Sequence, residues 1–253
     1  MSEGATAEDL VAEDLVAEDA LGANAVAEDV VGQVAAGADA VVTEDDALLA
    51  RAARVFADAR AAGRERAVLA ICGAPGAGKT TLARMLVSEL PRLGVPVAWL
   101  PLDGFHLGDD ALRVLGRLER KGAIDTFDGW GYVATVRRVL EEADHEIFVP
   151  GFERDLEQPI AANLIVPAGP ALVVTEGNWL LDASEPWAEL ADMFAETWLV
   201  ETDDVVRRER LVARHVQFGK SGPEARAWVE RVDEPNAVRV AAARERASLV
   251  VAL

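Results

Sequence analysis

Hydrophobic and polar positions along the chain follow two patterns, one typical of buried strands and one of amphipathic helices. Short apolar runs, which suit strands buried on both faces of a sheet, lie at 67–72, 95–100, 171–175, 197–200 and 248–253. Helical spacing occurs at 46–62, 81–93, 109–118, 132–143, 187–194, 205–218, 224–232 and 237–246. Two further segments, 147–149 and 163–166, predict a small edge hairpin. The alternation predicts an α/β fold with three layers, α/β/α, around a mostly parallel sheet.

A glycine-rich segment joins the first of these apolar runs to the helix that follows it. Glycines permit positive φ and leave backbone N–H groups open to phosphate oxygens, at a helix N-terminus whose dipole favours an anion. In this setting the pattern predicts a P-loop, in which Lys79 reaches the β- and γ-phosphates and the Thr80 hydroxyl holds Mg²⁺. The nucleotide-binding residues predicted here are Gly73, Ala74, Pro75, Gly76, Ala77, Gly78, Lys79, Thr80 and Thr81.

Two carboxylates follow predicted strands at their carboxyl ends, where ligands bind in open parallel sheets. Asp103 comes after the 95–100 run and Glu176 after the 171–175 run. We expect Asp103 to be the general base for an acceptor hydroxyl, and Glu176 to support Mg²⁺ near the attacking oxygen. The two roles are exchangeable on sequence alone, because spacing along the chain gives no distances.

A basic helix is predicted near the C-terminal end of the chain. Arg207, Arg210 and Arg214 share one face of it, since they lie at positions i, i+3 and i+7. Such a face can close over a γ-phosphate as a small helical lid, which we expect at about 204–222. The alternative is a solvated surface whose arginines pair with neighbouring carboxylates.

Charge divides the 253-residue chain, of formal net charge −19, into two parts. Residues 1–46 hold 13 acidic side chains and neither Lys nor Arg, with Ala-Glu-Asp repeated four times. We expect a disordered acidic tail over 1–45, ahead of a P-loop domain over 46–253; an acidic docking or autoinhibitory segment is the alternative. The remainder, 47–253, carries a net charge of only −6. This mild charge argues against a nucleic-acid partner, which needs a basic surface.

The sequence constrains the cellular location and the oligomeric state less strongly than it constrains the fold. There is no uninterrupted apolar run of membrane-spanning length and no basic N-terminal signal, so we expect neither a membrane partner nor export. The single cysteine, Cys72, suits a reducing compartment, and the prediction is a cytoplasmic protein. The oligomeric state stays open, a homodimer included.

These motifs together resemble the phosphoribulokinase/uridine kinase-like P-loop kinases, a group related to type I pantothenate kinase and to bacterial fructose-kinase-like proteins. The resemblance spans about 65–253 and leaves the acidic segment outside. Its segments are Gly73–Thr81, Pro101–His106, Arg120–Gly122, Thr126–Asp128, Pro150–Arg154, Thr175–Asn178, Arg207–His215 and Arg244–Leu249. The Glu153-Arg154 pair stands where Asp-Arg is expected in this group.

The resemblance implies ATP as donor, Mg²⁺ as cofactor and a small-molecule hydroxyl as acceptor. It implies that Arg214, with Arg210, contacts the γ-phosphate and that Asn236 lies near the adenine. The acceptor pocket would be bordered by His106, Lys121, Phe152 and Arg154. A kinase for a nucleoside, sugar or pantothenate-like acceptor is therefore expected, and the alternative is a P-loop ATPase or switch that acts on a protein partner.

Overall fold

The computed structural model describes residues 41–42 and 45–253 of the chain. The predicted acidic tail lies outside the described residues, apart from the strand residues 41–42 and Asp45, which begins a helix. Among the helices that the structure describes, none is both long and apolar enough to cross a membrane.

Within the described residues eight strands form two sheets; seven of them lie at the predicted strand segments, and the eighth, at 41–42, lies within the predicted acidic tail. They are β1 (Val41–Val42), β2 (Arg66–Gly73), β3 (Val97–Pro101), β4 (Ile147–Glu153), β5 (Gln158–Val166), β6 (Ala171–Gly177), β7 (Glu196–Glu201) and β8 (Leu249–Ala252). Six of them make a parallel sheet in the order β1–β8–β7–β2–β6–β3. The other two, β4 and β5, form the predicted hairpin, which is antiparallel and longer than expected.

Over residues 45–253, seven α-helices accompany the strands. They are α1 (Asp45–Ala61), α2 (Lys79–Glu89), α3 (Asp109–Val114), α4 (Gly129–Glu141), α5 (Asp204–Gln217), α6 (Gly222–Trp228) and α7 (Glu234–Ala241). Three predicted helices are partly or wholly 3₁₀ instead: Leu90–Leu93 extends α2, Trp187–Asp192 stands alone, and Arg244–Arg246 follows α7. Pro91 lacks the N–H that an α-helix needs at this point. A π-helical segment, Val229–Asp233, joins α6 to α7.

The parallel sheet separates two hydrophobic cores, which confirms the three-layer α/β/α prediction. Every residue of β2 is buried, and its successive side chains point to opposite faces. Leu69 and Ile71 pack with α1 and α2 in one core, whereas Val68 and Ala70 pack with α4 and the hairpin in the other. A strand covered on both faces has no polar side to alternate with, and this explains its continuous apolar run.

The hairpin is held against the turn that follows β3. This turn, Leu102–Phe105, is a single 3₁₀ segment. A Cβ on Gly104 would lie 2.4 Å from the carbonyl oxygen of Pro150 in β4, and one on Gly177 would lie 2.5 Å from Leu102 Cβ. Only glycine permits such close backbone approach. These contacts bring the hairpin over the carboxyl ends of β3 and β6.

Candidate active site

The glycine-rich loop between β2 and α2 is shaped by two residues with positive φ. Gly76 has a φ of 79° and Gly78 a φ of 103°, conformations that residues with a Cβ rarely adopt. At Gly76 space is also lacking, because a Cβ would lie 2.8 Å from Leu211 Cγ and 2.9 Å from the carbonyl oxygen of Arg207. Both of these residues belong to α5, so the helix predicted as a lid packs directly on the loop.

Lys79 begins α2 and folds back over the loop. Its side chain is largely buried, and Nζ donates a hydrogen bond to the carbonyl oxygen of Ala74 at 3.0 Å. Burial lowers the pKa of this ammonium group, although the carboxylates of Glu176 and Asp103 oppose the shift. A nearly enclosed cation beside a loop of this shape fits a phosphate anion.

The two predicted carboxylates lie on neighbouring strand ends. Pro101 of β3 pairs in register with Glu176 of β6, and Asp103 follows two residues later. Burial, together with the charge of Asp103, raises the pKa of Glu176 to about 7. Desolvation would also raise the pKa of Asp103, but the charges of Arg154 and Lys79 outweigh it and the pKa is lowered. The site therefore contains one carboxylate that is firmly ionised and one that readily holds a proton.

His106 and Arg154 flank Asp103. Arg154, in the turn of the hairpin, forms an ion pair with the Asp103 carboxylate. The Nδ1 atom of His106 lies 2.9 Å from the backbone oxygen of Asp103, and its ring packs on Phe127 with centroids 3.9 Å apart. Desolvation lowers the pKa of His106 even though the Asp103 carboxylate opposes it, so the ring favours its neutral form.

Lys121 and Phe152 complete this end of the site. Lys121 Nζ bonds to Asp109 Oδ1 at 2.7 Å and to the carbonyl oxygen of Glu157. The ring of Phe152 contacts two cations: Lys121 Nζ lies 5.8 Å and the Arg154 guanidinium carbon 4.9 Å from its centroid. Phe152 thus orients both charged groups at the edge of the site.

One cavity of about 340 Å³ joins the glycine-rich loop to the hairpin. Its lining includes twelve of the predicted site residues: Pro75, Gly76, Lys79, Thr80, Asp103, His106, Lys121, Phe152, Arg154, Glu176, Arg214 and Asn236. The remaining predicted loop residues, Gly73, Ala74, Ala77, Gly78 and Thr81, form the backbone around Lys79 and Thr80. Residues that lie up to 161 positions apart in sequence therefore share a single space.

Known proteins resemble this chain along most of its length, although no family model matches it. It is 34% identical over 191 residues to the uncharacterized protein YggC of Escherichia coli (strain K12), which covers 74% of this chain and 78% of that protein. A solved structure of a candidate fructose transport system kinase from Silicibacter sp. TM1040 is 32% identical, with a TM-score of 0.68, and covers 74% of this chain and 89% of that one. The chain belongs to the phosphoribulokinase/uridine kinase-like P-loop kinases.

A candidate uridine kinase of Schizosaccharomyces pombe extends the same likeness. It is 27% identical over 183 residues, which cover 70% of this chain and 77% of that protein. The family relationship confirms the resemblance expected from the motifs, and it makes this uridine kinase-like protein an ATP-dependent kinase.

The three arginines that were predicted to share one face of α5 in this P-loop kinase do not share one environment. Arg214 lines the cavity, whereas Arg210 Nη1 lies 4.0 Å from the position that a Cβ on Gly78 would take. Arg207 is only 2% exposed; it bonds to Asp204 at 3.1 Å, to Glu234, and to the Pro75 carbonyl oxygen at 3.4 Å. Arg207 therefore joins α5 to the P-loop and to α7, a role that helical spacing alone does not distinguish from phosphate binding.

Asn236 lines the cavity of the kinase through α7. It is 7% exposed, and its Nδ2 donates to the Gly122 carbonyl oxygen at 3.1 Å. This contact places the predicted adenine-side residue beside the loop that carries Lys121. Its role toward adenine stays a prediction.

Asp109, Trp228 and Asp233 line the cavity although no sequence pattern singled them out. His215, beside Arg214 in the predicted basic helix, has its Nε2 2.8 Å from Asp233 Oδ2, and Trp228 lies under Lys220 Nζ, 4.5 Å from the ring centroid. Asp109 holds Lys121, as described above. One signal was available: the chain has only three lysines, Lys79, Lys121 and Lys220, against 22 arginines, and all three line this cavity.

Proposed function

We propose that this kinase transfers the γ-phosphate of ATP to a hydroxyl group of a small molecule held between Asp103 and the hairpin. The observation that carries the proposal is the continuous cavity from Lys79 to Asp103. A kinase needs the donor phosphate and the acceptor hydroxyl in one dehydrated space, because water would otherwise compete as the acceptor. The proposed acceptor is a nucleoside, a sugar or a pantothenate-like alcohol.

In the proposed reaction, the acceptor oxygen attacks the γ-phosphorus as its O–H bond breaks. A new O–P bond forms, the bond from the γ-phosphorus to the ADP oxygen breaks, and ADP leaves. The proton passes to Asp103, which is ionised and lies on the hairpin side, where the acceptor enters. Lys79 and Arg214 bind the phosphate oxygens and offset charge that develops during transfer.

A divalent cation fits beside Glu176, the carboxylate on the P-loop side of the cavity. Thr80 and Glu176 are oxygen donors on the P-loop side of the cavity, and Mg²⁺ bound to a nucleotide needs only one or two protein oxygens. The raised pKa of Glu176 is typical of a buried carboxylate that lacks a compensating cation. We assign Mg²⁺ to Thr80 and Glu176, where it would screen the negative charge of the ATP phosphates.

A small acceptor also agrees with the charge of the domain. The net charge of −6 over 47–253 argues against a nucleic acid as the partner, because such a partner needs a basic surface. The cytoplasmic location and a homodimer stay predictions.

The test is ADP release with and without a panel of nucleosides, sugars and pantothenate, with each phosphorylated product identified by mass spectrometry. We expect release to rise at least about tenfold over the acceptor-free rate with the right acceptor class, because positioning a hydroxyl makes the reaction effectively unimolecular. Equal ADP release with and without every acceptor, and no phosphorylated product, would contradict the proposal and favour an ATPase or switch. The Lys79→Ala variant, measured in parallel, reports any contaminating activity.

A further inference from the structure

The acceptor end of the cavity contains two cations that the transfer chemistry itself does not require. Lys79 and Arg214 already serve the phosphates at the other end. Arg154 and Lys121 lie on the hairpin side, and both approach the ring of Phe152. Binding a neutral hydroxyl would need neither of them, since hydroxyls bind through uncharged donors and acceptors as readily.

Both cations are held in the cavity by partners that a ligand could replace. Lys121 bonds to Asp109 and to the carbonyl oxygen of Glu157, a residue with a φ of 51° in the turn of the hairpin. Arg154 bonds to Asp103, yet 39% of its side chain stays exposed to the cavity and solvent. Ion pairs with this much exposure are weak, so exchange of partners costs little.

The ion pair of Arg154 also opposes the proposed chemistry. While its guanidinium group occupies the Asp103 carboxylate, an acceptor hydroxyl competes with it for the same oxygens. A neutral acceptor offers no replacement partner for the guanidinium group. A carboxylate or phosphate does, because it accepts two parallel hydrogen bonds from one arginine.

We propose that the acceptor carries an anionic group, a carboxylate or a phosphate, in addition to its hydroxyl, and that Arg154 leaves Asp103 to bind this group together with Lys121. The inference rests on the proposed function and narrows its substrate class. Arriving substrate thereby frees the general base, so the base becomes available only when an acceptor of the right charge is bound. Phe152 supports both cations in this arrangement.

The experiment compares acceptors in matched pairs that differ only in charge. Pantothenate is paired with pantothenol and glycerate with glycerol, which test a carboxylate; fructose 1-phosphate is paired with fructose, which tests a phosphate. ADP release and mass spectrometry of the product give kcat and KM for each member. We expect the anionic member of the active pair to have a kcat/KM on the order of 10²-fold higher than its neutral partner. The neutral acceptor would leave the cations of Arg154 and Lys121 without an anionic ligand.

Variants of Arg154 distinguish anion binding from a purely structural role. For Arg154→Gln we expect kcat/KM to fall on the order of 10²-fold with the anionic acceptor and not to fall with the neutral one, because losing the guanidinium group also removes its competition for the Asp103 carboxylate. Arg154→Lys should restore part of the loss, since it keeps the charge. Arg92→Gln is the matched control: this exposed arginine, in the 3₁₀ segment after α2, pairs with Glu89, and neither residue lines the cavity.

Three results would overturn the inference. Equal kcat/KM for neutral and anionic members would remove the anionic substrate class and leave the kinase proposal intact. If Arg154→Gln lowers kcat/KM equally with both members of a pair, the role of Arg154 would instead be to position Asp103 or to bind the transferred phosphate. If no member of any pair gives acceptor-dependent ADP release, the proposed function fails, and the inference fails with it.

Discussion

The two ends of the cavity are built in different ways. The P-loop end comes from one continuous stretch, Gly73–Thr80, in which backbone groups and one buried lysine form the site. The hairpin end takes Asp103, His106, Lys121 and Arg154 from three separate segments, joined through side-chain pairs. A backbone site has nothing to rearrange, whereas paired side chains can exchange partners when a ligand arrives.

This difference explains how one family can retain its donor and vary its acceptor. Backbone N–H groups bind any nucleotide phosphate, because their geometry depends on φ and ψ rather than on side-chain identity. At the hairpin end each contact depends on the side chain present. We therefore expect substitutions at the P-loop end to remove activity, and those at the hairpin end to change which acceptor is used.

The largest effect is expected from Lys79→Ala at the P-loop end. Loss of the cation that neutralises the transferring phosphoryl group should lower kcat by about 10³ to 10⁵-fold with every acceptor. The fold should persist, because the variant loses one hydrogen bond to the carbonyl oxygen of Ala74, and Glu176 readily holds a proton when the nearby cation is gone. Turnover assays and thermal unfolding test both points; substantial remaining activity would contradict the P-loop assignment.

Asp103→Asn and Glu176→Gln separate the two carboxylates. Loss of a general base should lower kcat by about 10² to 10⁴-fold in Asp103→Asn, whatever the Mg²⁺ concentration. The loss in Glu176→Gln should shrink as Mg²⁺ is raised, since weaker metal binding can be overcome by concentration. Steady-state kinetics at several Mg²⁺ concentrations measure the difference. The opposite pattern would exchange the two roles.

Gly104→Ala tests the contact between the hairpin and the turn that carries Asp103. The added Cβ meets the backbone of Pro150 at 2.4 Å, so the hairpin must shift away from Asp103. We expect a stability loss of about 1–3 kcal/mol and a higher KM for the acceptor, with the KM for ATP nearly unchanged. Gly108→Ala is the control, because its Cβ would meet only the Gln158 side chain at 3.6 Å. An unchanged acceptor KM in Gly104→Ala would mean that this contact does not position the hairpin.

The smallest effect on turnover is expected at Asp182, which lies outside the lining of this cavity. Burial would raise its pKa, but hydrogen bonds from Arg239 and Ser184 outweigh this and lower it to about 2 from an ordinary 3.8. The folded pKa is depressed, so the stabilisation is present above about pH 4 and disappears as the pH falls toward 2. Asp182→Asn should therefore cost about 1–2 kcal/mol at pH 7 and little at pH 2.

Thermal unfolding of Asp182→Asn across this pH range, beside kcat at pH 7, completes the test. We expect kcat to stay within about twofold of the unchanged protein, because a modest stability loss leaves the folded fraction near one. This variant then shows what lost stability alone does to turnover. A pH-independent difference in unfolding would contradict the role given to the ion pair.

The P-loop end of the cavity could be predicted from the sequence more fully than the contacts made by residues distant in the chain. The P-loop could be recognised from sequence because its strand, turn and helix are consecutive. The positions of Asp103 and Glu176 followed from the rule that strand carboxyl ends gather ligands. The role of Arg207 could not be predicted, since its contact with Pro75 spans 132 residues of chain and its helical spacing is the same in either role.

By itself, the sequence determined the layered α/β fold, the P-loop and the family of this kinase, because burial periodicity and glycine conformations act over neighbouring residues. The tertiary structure decided which cations meet which carboxylates. Arg154 and Asp103 are 51 positions apart, and Asn236 and Gly122 are 114 apart, so only the folded chain brings them together. Charge interactions depend on distance in space and on desolvation, and neither quantity is set by the order of residues along the chain.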